Sequence, residues 1–213
     1  MHIISLIPQL LPPSELTAFL VVVCFAAVIT VYANMVMLGV LFHTGVLALP
    51  PGLHVLENWY VLAMCGVLFL VEFVGDKIPV FDLLWNALHT FVRVPVAAFL
   101  AYGATSQLPE WERLLATLLG SLIALAAHGG KTAARAAVTP SPEPFSNITL
   151  SLSEDAVVAL LLWYATHHPY AAAALVGVLL LAIAIMFRVV ARALANLFRQ
   201  SEGALANSSH PIP

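Results

Sequence analysis

Two long stretches of this chain carry no acidic or basic side chain: Leu16 to Leu56 and Ala156 to Phe187. A helix crossing a bilayer needs about 20 apolar residues, so each stretch holds more than one element or runs beyond the hydrocarbon core. The whole sequence has eight Lys and Arg and eleven Asp and Glu in 213 residues, 9% charged and 62% hydrophobic, with a mean hydropathy of +0.98. A soluble domain averages about 25% charged. The chain is therefore expected to be an all-α, polytopic helical membrane protein with the lipid bilayer as its first partner. Runs of helical length also exclude a transmembrane β-barrel, whose strands alternate over roughly 10 residues.

Proline and glycine clusters punctuate the apolar sequence and predict about six helical segments, 16–42, 57–75, 81–103, 111–136, 148–167 and 170–198. Residues 1–15 form an N-terminal segment, 16–105 a first three-helix half, 106–199 a second, and 200–213 a polar tail expected to be disordered. The N-terminal residues lack a basic region and a small-residue cleavage site, so the first span is expected to act as its own insertion signal. With both termini cytoplasmic, Lys77, Lys131, Arg135, Arg188, Arg192 and Arg199 fall inside and Arg113 outside, the orientation that positive charge favours in a bacterial inner (plasma) membrane. Three spans per half would make the halves an inverted repeat. His43-Thr-Gly45 followed by Pro50-Pro51 and a span ending at Pro79 is echoed by His128-Gly-Gly130, Pro140 and a span ending at Pro169. Inverted repeats build many transporters, with sites at broken or re-entrant segments.

The few charges collect where apolar segments end, and an ionisable group held at bilayer depth is a functional candidate because burying it costs about 2.5–3.5 kcal/mol on insertion scales. Within VEFVGDKIPVFD, Glu72 and Asp76 stand four apart and share a helical face beside Gly75, with Asp82 following. Paired carboxylates suit a cation or proton site; alternatively Lys77 neutralises them as boundary charges. Within HGGKTAAR, His128, Lys131 and Arg135 follow an i, i+3, i+7 pattern on one helix side, fit to hold an anion or meet carboxylates, or else to anchor the span at the cytoplasmic surface. Gly129-Gly130 beside them needs a reason, since each glycine weakens a helix by about 1 kcal/mol. Arg93, deep in the third segment, requires a partner among Asp82, Glu72 and Glu154, and His89 one turn before it joins that network or is an ordinary polar-face residue.

Thr139 to Asp155 reads TPSPEPFSNITLSLSED, either a re-entrant loop leading into a helix or a plain cytoplasmic loop. Irregular backbone at membrane depth occurs only where it is buried or lines a cavity. Asn147, Ser151, Glu154 and Asp155 are thus candidate gating or coupling residues, together with Arg93. Asn147-Ile-Thr149 also fits a glycosylation acceptor, a triplet common by chance. Cys24 and Cys65 lie in apolar runs and are expected to pack. No catalytic pattern is present: no H-E-x-x-H, G-x-S-x-G, Walker loop or paired cysteines at metal spacing. Cofactor and metal stay unassigned, and eight scattered basic residues exclude a nucleic-acid partner.

The pattern EFxxDKIPxxD, then HxxKxxxR, SPEPxSN and SxED, resembles a bacterial and plastid family of multi-pass membrane proteins that is defined only as a domain of unknown function. The resemblance spans about residues 30–185. It implies a multi-span fold and no particular activity, and the chain departs from it at Gly130, where a threonine-type residue is usual. The function expected is an inner-membrane transporter or channel for a small charged solute or ion. Its site would combine the acidic Glu72, Asp76 and Asp82 with the basic His128, Lys131 and Arg135. A membrane-embedded enzyme acting on a phosphate-bearing lipid is one alternative and a non-catalytic assembly factor another. Self-association into a homo-oligomer is compatible with all three.

Overall fold

A computed structural model describes residues 12–138 and 144–208. Side chains at 13, 14, 79–84, 86, 87, 134–138, 144–147, 193–195 and 197–208 fall outside the described set. The described residues form α1 (Pro13–Ile29), α2 (Val31–His43), a 3-10 helix (Pro51–Glu57), α3 (Trp59–Gly75), α4 (Pro79–Ala104), α5 (Glu110–Val138), α6 (Pro144–His167) and α7 (Pro169–Ser208), with no strand among them. Five of these helices, the 3-10 helix included, open on proline, whose missing N–H is one that a first turn leaves unpaired in any case. α3 is instead capped by Asn58, whose side chain accepts from the Tyr60 N–H at 2.8 Å.

Each of the six expected segments is helical, with one correction. Residues 16–42 are two helices, because the chain breaks at Thr30 into an extended conformation (φ −143°, ψ 95°). The run Val28-Ile29-Thr30-Val31 is β-branched throughout, the side-chain class that loses most rotamer freedom against a preceding helical turn. Asn34 clasps the two pieces, donating from Nδ2 to the Val23 carbonyl at 3.2 Å. A second difference lies at the C-terminus, where α7 continues to Ser208 although the polar composition from Gln200 pointed to a disordered end. Once a helix exists, adding residues such as Ala204, Leu205 and Ala206 needs no new nucleus. Residues 209–213 lie outside the described set.

α1 is apolar on every face and sits in the middle of the bundle, packed against α2, α4, α5, α6 and α7. Val22, Ala26, Ala27 and Val28 are completely buried. Cys24 belongs to this core, its thiol 3.8 Å from the Ala97 carbonyl, and both cysteines are buried and free. Around it, Glu110–Ala133, Ile148–His167 and Pro169–Arg192 are long and apolar enough to cross a membrane. The 3-10 helix and α3, bent by 70°, make a fourth span if taken together. Their outward faces are apolar and exposed, with Leu118, Leu122, Leu160, Leu181 and Ile185 all more than half accessible, as befits helices facing lipid.

The loop before α3 meets α4 backbone to backbone. A Cβ added at Gly103 would lie 2.7 Å from the Gly52 carbonyl oxygen. This contact fixes the 3-10 helix on α4, while α3 itself packs on α2 and only lightly on α4. The far end of α3 therefore needs another means of attachment.

Candidate functional site

Charge supplies that attachment. Glu72, on the last turn of α3, accepts from Arg93 of α4 at 2.8 Å, and the two side chains are 1% and 0% exposed. Of the three partners open to Arg93, Glu72 is in contact with it, and the side chain of Asp82 lies outside the described residues. One turn on, the Asp76 carboxylate lies 3.7 Å from the Lys131 ammonium of α5. Lys131 also pairs with Glu154 of α6 at 3.2 Å and donates to the Ile29 carbonyl at the end of α1. Four helices thus converge on one ammonium beside the Thr30 break. A helix C-terminus presents roughly half a negative charge, so Ile29 reinforces the two carboxylates.

Lys77, adjacent to Asp76 in sequence, turns back on its own helix. It donates to the Phe73 carbonyl at 2.6 Å and its ammonium stands 3.1 Å from the centre of the Phe73 ring. Arg93 of α4 and Lys131 of α5 reach Glu72 and Asp76 from other helices.

His128 bonds Thr90 of α4 through Nε2 at 2.8 Å, and its Nδ1 has no hydrogen-bond partner among the described residues. His89 is buried: Nδ1 meets the Trp85 carbonyl at 2.9 Å and Nε2 the Tyr32 hydroxyl at 3.3 Å. The α4 residues 89, 90 and 93 thereby tie α2, α5 and α3 into one polar layer. On α6, Ser151 and Asp155 stand one turn apart, and Ser151 Oγ and Asp155 Oδ2 are buried with no hydrogen-bond partner among the described residues. Glu72 Oε2 is in the same condition. Asp155 lies within electrostatic reach of Lys77, Asp76, Lys131 and Glu72. The fold thus places buried acceptors of α3 and α6 close to the Lys131 cluster.

The structure thus unites Glu72, Asp76, Arg93, Lys131 and Glu154, with His128, Ser151 and Asp155 beside them. The side chains of Asp82, Arg135 and Asn147 lie outside the described residues, as does the segment 139–143. Sequence reasoning missed Thr30, Tyr32, Asn34 and Thr90. The first three interrupt an apolar run at alternate positions, which is the signal that would have found them.

Gly129 and Gly130 lie inside α5 and do not break it, whereas His43-Thr-Gly45 closes α2 with Gly45 at φ +72°. The two sequences are thus alike in letters and different in shape. The glycines serve close packing: a Cβ at Gly130 would meet Ile183 of α7 at 2.6 Å and one at Gly129 would meet Phe187 at 2.8 Å.

Among the described residues, no group of three His, Cys, Asp or Glu side chains is arranged to hold a metal ion. A protein-family model described as a domain of unknown function (DUF4126) matches residues 18–189. No curated protein and no solved structure matches the chain.

Proposed function

The chain belongs to that family, whose description assigns no activity, and from this premise we propose that it is a transporter or channel for a small cation or charged solute. The observation that carries the reading is the Lys131 ammonium, held by Asp76, Glu154 and the Ile29 carbonyl at the break between α1 and α2. Carboxylates plus the exposed end of a half-helix are the ligands that secondary transporters offer a coupling ion. Lys131 stands where such an ion binds and exchanges with it.

Glu72 and Arg93 play a different part. Fully buried and joined by one short contact, they pin α3 to α4 one turn before Asp76. Because α3 packs on α2 and only lightly on α4, it is the element proposed to adjust when the Lys131 cluster changes its ligand. The two halves, 16–105 with α1 to α4 and 106–199 with α5 to α7, act as inverted repeats about this site if α1 and α2 count as one broken segment, with both termini on the cytoplasmic side of a bacterial inner membrane.

The lipid-enzyme alternative needs its acidic group open to a divalent metal. Glu72 and Asp76 each face a protein cation instead, which favours transport. Purified protein in proteoliposomes tests the proposal: Asp76→Asn, which keeps the shape and loses the charge, is expected to abolish ion-dependent flux in a protein that still folds. Unchanged flux removes Asp76 from the mechanism, and metal-dependent phospholipid turnover in detergent without a gradient supports the enzyme.

A further inference from the structure

A groove of about 320 Å³ is lined by residues of α1, α5, α6 and α7, the Lys131–Glu154 pair among them. Its floor is Phe25 and Ile29 of α1, and Ile183 and Met186 of α7 form one wall. The volume lies at the lower end of the roughly 300–1,000 Å³ of small-molecule sites, which are mostly apolar with a few placed polar groups. Beside the groove α7 presents an exposed apolar face, at Val178, Leu181 and Ile185. If α7 spans the bilayer, the groove is reached from within the membrane.

The charged end determines what fits. One ammonium there is shared by two carboxylates, Asp76 and Glu154, and by the carbonyl end of α1. An incoming anion would have to displace a carboxylate from Lys131 and sit against a helix C-terminus, whereas an incoming cation takes over carboxylate contacts that already exist. We infer that the groove binds an amphipathic organic monocation, its apolar body lying on the α1 and α7 side chains that line the groove and its charge meeting Glu154. This inference rests on the transport reading only for the role of the Lys131 cluster as an exchangeable cation site.

Full-length protein in lipid nanodiscs, titrated with tetraphenylphosphonium and with tetraphenylborate, tests it, because the two probes share a shape and differ in sign. The expected result is saturable phosphonium binding above empty-nanodisc background and none for the borate. Glu154→Gln is expected to raise the phosphonium Kd by about tenfold, near 1.4 kcal/mol. Ala182→Phe, which fills the groove from an exposed position on α7, is expected to do the same with every charge intact, so the question is decided even if Glu154→Gln fails to fold. Preference for the borate, absence of saturable phosphonium binding, or a Kd unchanged in Ala182→Phe or in folded Glu154→Gln overturns the inference. Phosphonium binding without gradient-driven flux would leave the groove standing and remove transport. Flux of inorganic ions without phosphonium binding would do the reverse.

Discussion

Arg93 Nη2 lies 2.8 Å from Glu72 Oε1 across 21 residues of sequence, and neither side chain is accessible beyond 1%. A pair this deeply buried gains little over an apolar pair of the same shape, but breaking it strands a charge.

Arg93→Met should therefore destabilise the protein by about 3–5 kcal/mol, and adding Glu72→Gln should recover a large part of that loss. Thermal unfolding in detergent of the two single variants and the double variant measures the coupling. Additive effects would mean that the pair does not hold α3 to α4.

Replacing Lys131 by alanine leaves Asp76 and Glu154 facing each other across the space of an ammonium. Added n-butylammonium should restore thermal stability to Lys131→Ala in a saturable manner while leaving the unsubstituted protein unmoved. Equal response of both proteins would show that the space is not an exchangeable cation site.

Gly103→Ala offers a test of sign. At an unconstrained helix position that change gains roughly 1 kcal/mol in propensity. Here the new methyl group would lie 2.7 Å from the Gly52 carbonyl oxygen, backbone that cannot rotate aside. A net loss of about 1–3 kcal/mol is expected. A gain in melting temperature would show that the 3-10 helix does not sit closely on α4.

Single cysteines at 77, 131 and 113, with Cys24 and Cys65 replaced, test the orientation. Asp76 and Lys131 meet, so positions 77 and 131 lie at one level, and Arg113 lies near the opposite end of α5. Impermeant reagent outside intact cells should label 113 and spare 77. The reverse pattern would place the termini outside and overturn the proposed direction.

Much of the helix plan was legible because breaks in an apolar chain are written in proline and charge: Pro79, Pro144 and Pro169 open α4, α6 and α7. The break at Thr30 was not, since no proline or glycine marks it and hydropathy is blind to β-branched strain. Glu72, Asp76 and Lys131 stood out because charge is rare in this sequence. Their pairing was hidden, because Lys131 lies 102 residues from Ile29 and 55 from Asp76 and sequence spacing carries no information across such gaps. Lys77 illustrates the converse: adjacent to Asp76 in sequence, it curls back onto Phe73. Gly129 and Gly130 attracted attention for a polar site and turned out to serve the contact of α5 with Ile183 and Phe187.

The central position of α1 has a bearing on how the protein is made. Chains leave the ribosome from the N-terminus, so α1 is made before α4, α5, α6 and α7, the helices that enclose it. Until the residues after Pro169 have emerged, one flank of that helix has no protein neighbour and must be sheltered by lipid or by the insertion machinery. α1 enters with that flank open to lipid and becomes an interior helix only when α7 closes over it. A nascent chain stopped before α7 would leave a partly built bundle with its central helix uncovered on that flank, the state in which quality-control proteases find a substrate.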